Sequence, residues 1–222
     1  MEIKRVTLFA GHYGSGKTNI AVNWALHLRR QGLPVTVADL DIVNPYFRTK
    51  DSAKELEAAG IRMIASPFAN SNVDVPALPG ELYAVVDDKT SHAVLDVGGD
   101  DRGALALGRY SPAIREEGDY AMLGVLNFAR PLTATPADAV EVLREVEAAG
   151  SLPFTGLINN TNIGKATTPE TVLNSVALAE ETARRMGLPL VMTTAEATVA
   201  EALSGQVENL FPLTLQTIHL FT

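Results

Sequence analysis

One octapeptide, Gly11-His12-Tyr13-Gly14-Ser15-Gly16-Lys17-Thr18, constrains this chain more than any other stretch. It has the spacing G-x-x-x-x-G-K-[ST] and follows an apolar run, Val6-Thr7-Leu8-Phe9-Ala10, that reads as a buried strand. Glycines at 11, 14 and 16 let the backbone curl until successive N–H groups converge on one point, and a helix starting at the end of the curl adds its positive pole. Such a cradle suits phosphate oxygens. Its expected contacts come from Gly11, Gly14, Ser15, Gly16, Lys17, Thr18 and Asn19. Lys17 is expected to place a point charge on the β- and γ-phosphates, and Thr18 a hydroxyl on the accompanying Mg²⁺. The amphipathic run after it, with Ile20, Ala21, Trp24, Ala25 and Leu28 on one face, supplies the helix.

The same local grammar recurs. The first helix should stop near Arg30, ahead of Gly32, Pro34 and the β-rich Val35-Thr36-Val37-Ala38. Helical patterns likewise end at Gly60 before Ile61, at Gly150 before Leu152-Pro153-Phe154, and at Gly187 before Leu188. Thr135-Pro136 and Thr168-Pro169 each set a capping hydroxyl before a proline at the first helical position, with Asp138 and Glu170 in the turns that follow. Further strands are expected at Ala93 to Val97, Tyr120 to Leu126 and Phe154 to Asn159. Strands that are apolar throughout, alternating with helices, imply a mostly parallel sheet covered on both faces. The expected fold is α/β, doubly wound, in a single domain over residues 1–222. The longest irregular stretch, 66–79, reads as a connecting loop or a lid.

In such sheets ligands bind beyond the carboxyl ends of the strands, and the residues there are polar. After the second strand come Asp39 and Asp41, which alternation places on one face. Carboxylates at the end of an apolar strand need a cation, a proton or donors. Asp41 is therefore the candidate for orienting the water that attacks the γ-phosphate and for the metal, with Asp39 in support. After the fourth strand, Asp96 is a candidate for the magnesium shell, and Gly98 or Gly99 for an N–H to the terminal phosphate; Asp100 and Asp101 read as solvated loop acids. After the sixth, Asn159-Asn160-Thr161-Asn162 lacks the carboxylate that an N-K-x-D guanine site requires, so Asn159 or Asn160 is expected to read adenine. Thr193-Thr194-Ala195-Glu196 is placed to flank the base.

Composition removes other functions. A formal net charge of −8 argues against a broad nucleic-acid or anionic-membrane surface. The chain has no cysteine, hence no disulfide, no thiolate zinc site and no cysteine-ligated iron–sulfur cluster of its own. With no apolar run near the roughly 20 residues of a membrane span and no signal-peptide core, a cytoplasmic location is expected.

The ordered set of phosphate loop, D-x-D after the second strand and strand-ending aspartate followed by glycine resembles the ParA/MinD-type (SIMIBI) branch of P-loop ATPases. Together with Asp41-Ile42-Val43-Asn44-Pro45-Tyr46-Phe47-Arg48 and Asn127-Phe128-Ala129-Arg130-Pro131-Leu132-Thr133, the loop resembles the group named as CobQ/CobB/MinD/ParA nucleotide-binding domain proteins. The resemblance implies a seven- or eight-stranded sheet, ATP with Mg²⁺ and a nucleotide-sandwich homodimer. It makes Lys17 and Thr18 the phosphate and magnesium residues, Asp41 the switch I aspartate and Asp96 the Walker B aspartate. Where ParA/MinD members carry a signature lysine this chain has His12, and Arg48, Arg102 and Arg130 are alternative sources of a finger cation. The run Leu210 to Phe221 has no basic residue and alternates as a strand does, which suits an edge strand or docked tail better than a membrane helix. Three readings stay open: a slow Mg²⁺-dependent ATPase that switches a protein partner between its ATP and ADP states, an ATP-dependent synthetase or kinase of the dethiobiotin synthetase/CobB type, and an ATP-binding module without turnover.

Overall fold

The computed structural model describes residues 1–40, 53–65, 80–99 and 101–215. Asp41, Arg48 and the rest of 41–52, the stretch 66–79, Asp100 and the end of the C-terminal run, 216–222, lie outside the described residues, as does the side chain of Arg102. Eight strands form one sheet: β1 (Val6–Ala10), β2 (Val35–Asp39), β3 (Arg62–Ala65), β4 (His92–Asp96), β5 (Tyr120–Leu126), β6 (Gly156–Asn159), β7 (Leu190–Glu196) and β8 (Leu210–Leu213). Their order is β3-β2-β4-β1-β5-β6-β7-β8, and every neighbouring pair is parallel. The sheet thus has the doubly wound α/β architecture that the sequence leads one to expect, with eight strands where the resemblance implies seven or eight. The start of the C-terminal run forms its edge strand β8.

Alternation along the strands sorts their side chains between two cores. Val6, Leu8 and Ala10 of β1 and Ala93 and Leu95 of β4 pack beneath one layer of helices: α3 (Gly80–Asp87), α4 (Asp101–Gly108), α5 (Ser111–Glu117), α6 (Pro136–Gly150) and α7 (Pro169–Met186). Phe9, Val37, Val94 and Leu123 point the other way, to α1 (Lys17–Arg30) and α2 (Ala53–Ala58). A last helix, α8 (Ala197–Ala202), packs Ala200 with Ala195 of β7 and Val172 of α7. Thr135 and Thr168 cap α6 and α7 with Pro136 and Pro169 in the first turn.

Several boundaries differ from those read off the sequence; β4, for one, covers His92–Asp96 and not Ala93 to Val97. Helix α6 includes Gly150, and the left-handed residue that ends it is Ser151. Strand β6 begins only at Gly156, because the approach to it is held elsewhere, with the Phe154 amide donating to Glu147 Oε1 at 2.7 Å. Helices α3, α4, α5 and α8 are too short to leave a clear periodic signature in the sequence.

Strand order decides where a ligand can lie. Strand β1 stands between β4 and β5, while the chain leaves it for β2, so the loop after β1 opens over the point where the winding reverses. Registers of Phe9 with Asp96 and of Asp39 with Asp96 bring the carboxyl ends of β1, β2 and β4 level.

Candidate functional site

The loop between β1 and α1 curls through three left-handed glycines and closes on itself with the Ser15 amide donating to His12 O at 3.1 Å. Gly16 is the N-cap of α1 at φ 91°, and a Cβ there would stand 2.2 Å from Asn160 Nδ2. No other residue fits between the helix start and that amide. The first turn of α1 contains no acidic residue, so the positive pole of the helix stays uncompensated by its own side chains. Lys17, the first residue of α1, is buried and donates to His12 O at 3.2 Å, which folds its ammonium back over the loop. Ser15 is buried as well, and its Oγ has no hydrogen-bond partner among the described residues.

On the β4 side, Thr18 Oγ1 donates to Asp96 Oδ2 at 2.5 Å. Asp96 is fully buried at the end of β4, with Asp39, nearly as buried, in register on β2. A hydroxyl and a carboxylate oxygen in contact at the foot of a phosphate cradle suit Mg²⁺, a hard cation that takes few protein ligands and fills its octahedron with water and phosphate oxygens. Among the described residues no group of three or more acidic or histidine side chains is placed to hold a metal ion. Gly99 follows on the same loop, where a Cβ would lie 2.8 Å from Lys17 Nζ and 2.7 Å from the Tyr13 amide. Gly99 therefore packs against the loop at Tyr13 and Lys17.

On the other side, the ends of β5, β6 and β7 brace the loop with neutral hydrogen bonds. Asn160 Nδ2 donates to Ser15 O at 2.6 Å and Asn160 Oδ1 accepts from Thr194 Oγ1 at 2.6 Å. Asn159 is fully buried, with Nδ2 on Ser175 Oγ at 2.9 Å and Oδ1 accepting from the Thr161 amide and hydroxyl. Instead of a free amide edge for a purine, the structure gives Asn159 and Asn160 a supporting position under the cradle. Asn127, buried at the end of β5, joins three loops: its Nδ2 reaches Gly14 O at 3.4 Å and Asn162 O at 3.2 Å, while its Oδ1 accepts from the Ala129 amide at 3.0 Å. Arg130, three residues on, donates from Nε to Gly14 O at 3.1 Å.

The structure thus gathers Gly11 to Asn19, Asp39, Asp96, Gly98, Gly99, Asn159 and Asn160 along one edge of the sheet. Asp41 lies outside the described residues. Sequence reasoning passed over the bracing role of Asn127. Only its place was visible, directly after a strand, as Leu40 and Val97 follow Asp39 and Asp96; the loop that it touches was not.

No protein-family model matches the sequence, and no curated protein matches it. Solved structures do resemble its fold. One is the cell division protein FtsY from Thermotoga maritima, 17% identical with a TM-score of 0.61, where the match covers 87% of this chain and 62% of that one. Another is the signal recognition particle receptor FtsY from Elizabethkingia anophelis in complex with GDP, 14% identical with a TM-score of 0.57 over 87% of this chain and 58% of that one. A third is the signal recognition particle 54 kDa protein from Aeropyrum pernix in complex with GDP, 16% identical with a TM-score of 0.56 over 85% of this chain and 40% of that one. The chain spans less than two thirds of the length of these neighbours. The shared feature is the fold, a parallel α/β sheet of the P-loop nucleoside triphosphatase type. The likeness reaches the fold and does not extend to a ParA/MinD branch.

Proposed function

We propose that the chain binds Mg·ATP in the cradle and hydrolyses it slowly, as a switch read by a protein partner. The observation that carries the proposal is the meeting of three elements at one point: Thr18 on Asp96 at 2.5 Å, and Gly99 against Lys17 and Tyr13. In this reading Gly11, Gly14, Ser15, Gly16, Lys17, Thr18 and Asn19 hold the phosphates, and the unpartnered Ser15 hydroxyl is a further donor. Thr18 and Asp96, with Asp41, hold Mg²⁺, which neutralises charge between the β- and γ-phosphates. Asp41 orients the water, supported by Asp39. The N–H groups of Gly98 and Gly99 bind the terminal phosphate, and its departure releases their loop, giving the ADP state a second shape.

ATP is preferred to GTP because the guanine-specific carboxylate is missing on either counting. Three residues after Asn159 stands Asn162, and three after Asn160 stands Ile163. The GDP in two structural neighbours makes GTP the competing ligand to test. A homodimer meeting at the nucleotide edge is supported by exposed Tyr13, Leu132 and Ile163, all on loops along that edge. No helix among the described residues is long and apolar enough to cross a membrane.

Turnover of Mg·ATP and Mg·GTP by the pure protein tests the proposal, with Lys17→Ala and Asp41→Ala as controls. Slow ATP hydrolysis without a second substrate, lost in both variants, is the expected result. Hydrolysis that requires an added metabolite assigns the chain to the synthetases, tight binding without turnover makes it a module, and a preference for GTP overturns the base assignment.

A further inference from the structure

We propose that Arg130 is the base-side clamp of the nucleotide site, its guanidinium lying against the face of the purine and beside the ribose. The proposal rests on the cradle being a nucleotide site and assigns a residue to the part of the ligand that the phosphate loop does not touch.

Strand order gives the direction. The triphosphate end of the cradle is marked by Asp96, Gly99 and Lys17 on the β4 side of β1. A nucleotide held there extends over the opposite neighbours, β5 and then β6. Arg130 belongs to the loop after β5 and is exposed, yet its Nε is fixed to Gly14 O at 3.1 Å, in the middle of the cradle. Among the described residues its terminal nitrogens make no hydrogen bond, and the side chain is exposed. Arg130 makes no ion pair among the described residues, in a chain that carries 26 acidic residues to 18 basic ones. Its position is braced from below, because Asn127 organises the same turn through the Ala129 amide and also reaches Gly14 O. A planar cation with an anchored stem stacks well on an aromatic base, and its remaining N–H groups suit ribose oxygens. Leu132 on the same loop and Ile163 on the loop after β6 are 61% and 52% exposed, so apolar surface is available on both sides of the path. Within one chain Gly99, not Arg130, adjoins Lys17 Nζ, so Arg130 lies away from that chain's own terminal-phosphate end of the cradle.

The test compares the affinities of wild type, Arg130→Ala and Arg130→Lys for Mg·ATP, Mg·ADP and magnesium tripolyphosphate, alongside the melting temperature of each ligand-free protein. Loss of a stacked base contact is expected to weaken ATP and ADP together by about tenfold, with tripolyphosphate changed less than about twofold. Lysine, which keeps the charge without the plane, should restore only part of the loss, and ligand-free melting should not move. A loss confined to ATP would make Arg130 a terminal-phosphate residue and overturn the proposal. Equal loss for tripolyphosphate, a drop in ligand-free melting that accounts for the weakening, or no loss at all would overturn it too. If wild type binds none of the three ligands, the cradle reading itself falls, a failure distinct from that of Arg130.

Discussion

The two ends of the sheet solve the problem of burying polar groups in opposite ways. At the amino end, Arg5 is buried at the entry to β1, and its guanidinium is met on every side by this chain. Nε and Nη2 pair with the Glu117 carboxylate, Nη2 also reaches Val86 O, and Nη1 donates to Asp88 O at 2.9 Å and Ser91 O at 3.3 Å. Lys89 adds a third cationic contact to Glu117 at 2.6 Å. The carbonyls tied down in this way belong to the end of α3 and the turn after it, and Glu117 ends α5, so one cation staples two helices to the start of the sheet. At the carboxyl end, by contrast, Ser15 keeps a buried hydroxyl without a partner among the described residues, Arg130 meets no carboxylate among them, and the first turn of α1 has no acid. A network finished within the chain serves stability, whereas donors such as the Ser15 hydroxyl are what the proposed nucleotide would engage.

The largest expected effect breaks the contrast at its amino end. Arg5→Ala leaves Glu117 with much of its charge uncompensated in a poorly hydrated place and should lower stability by about 3 kcal/mol. Chemical denaturation checks this, and Mg·ATP affinity measured in the folded variant should stay as in wild type. A smaller effect is expected from Asn160→Ala, which strands Ser15 O and leaves the Thr194 hydroxyl only its longer bond to Asn159 O at 3.3 Å, and should cost about 2 kcal/mol. Unlike Arg5→Ala, it should weaken nucleotide binding as well, because Asn160 braces the curl of the cradle. If both variants lose stability and binding in the same proportion, the two ends are not separate devices.

The smallest effect is in pH. Hydrogen bonding from Arg5 is the main reason that the Glu117 carboxyl titrates below its ordinary value near 4.5, against the opposing effect of burial, and Lys89 adds to it. A carboxyl with a depressed folded-state pKa stabilises the protein above its unfolded pKa, and that contribution fades as pH falls through the folded value. Stability should therefore decline below about pH 4.5 more steeply in wild type than in Glu117→Gln, as followed by denaturation at stepped pH.

Much of the molecule was legible because its signals are local. The stop at Gly187, the caps at Thr135 and Thr168 and the apolar run Tyr120–Leu126 are each contained within a few residues, and the structure places elements there. So is the phosphate loop, whose spacing is set by the geometry of one turn. Helices α3, α4 and α5 were less legible, since eight residues or fewer give little more than two turns of periodicity. The bracing residues were illegible for another reason. Asn127, Asn160 and Thr194 look like strand-end polar residues anywhere in a chain, and only contact with a loop more than 100 positions away distinguishes the two asparagines.

By itself the sequence determined the architecture and singled out the glycine-rich loop after β1, since hydrophobic period, glycine stops and a contiguous octapeptide depend on near neighbours along the chain. Tertiary structure alone decided which strands flank β1. That choice put Asp96 and Gly99 on one side of the cradle, and Asn127, Arg130 and Asn160 on the other. The physical reason is that strand order follows from how whole helices and strands pack together, a sum over distant contacts that no short window of residues contains.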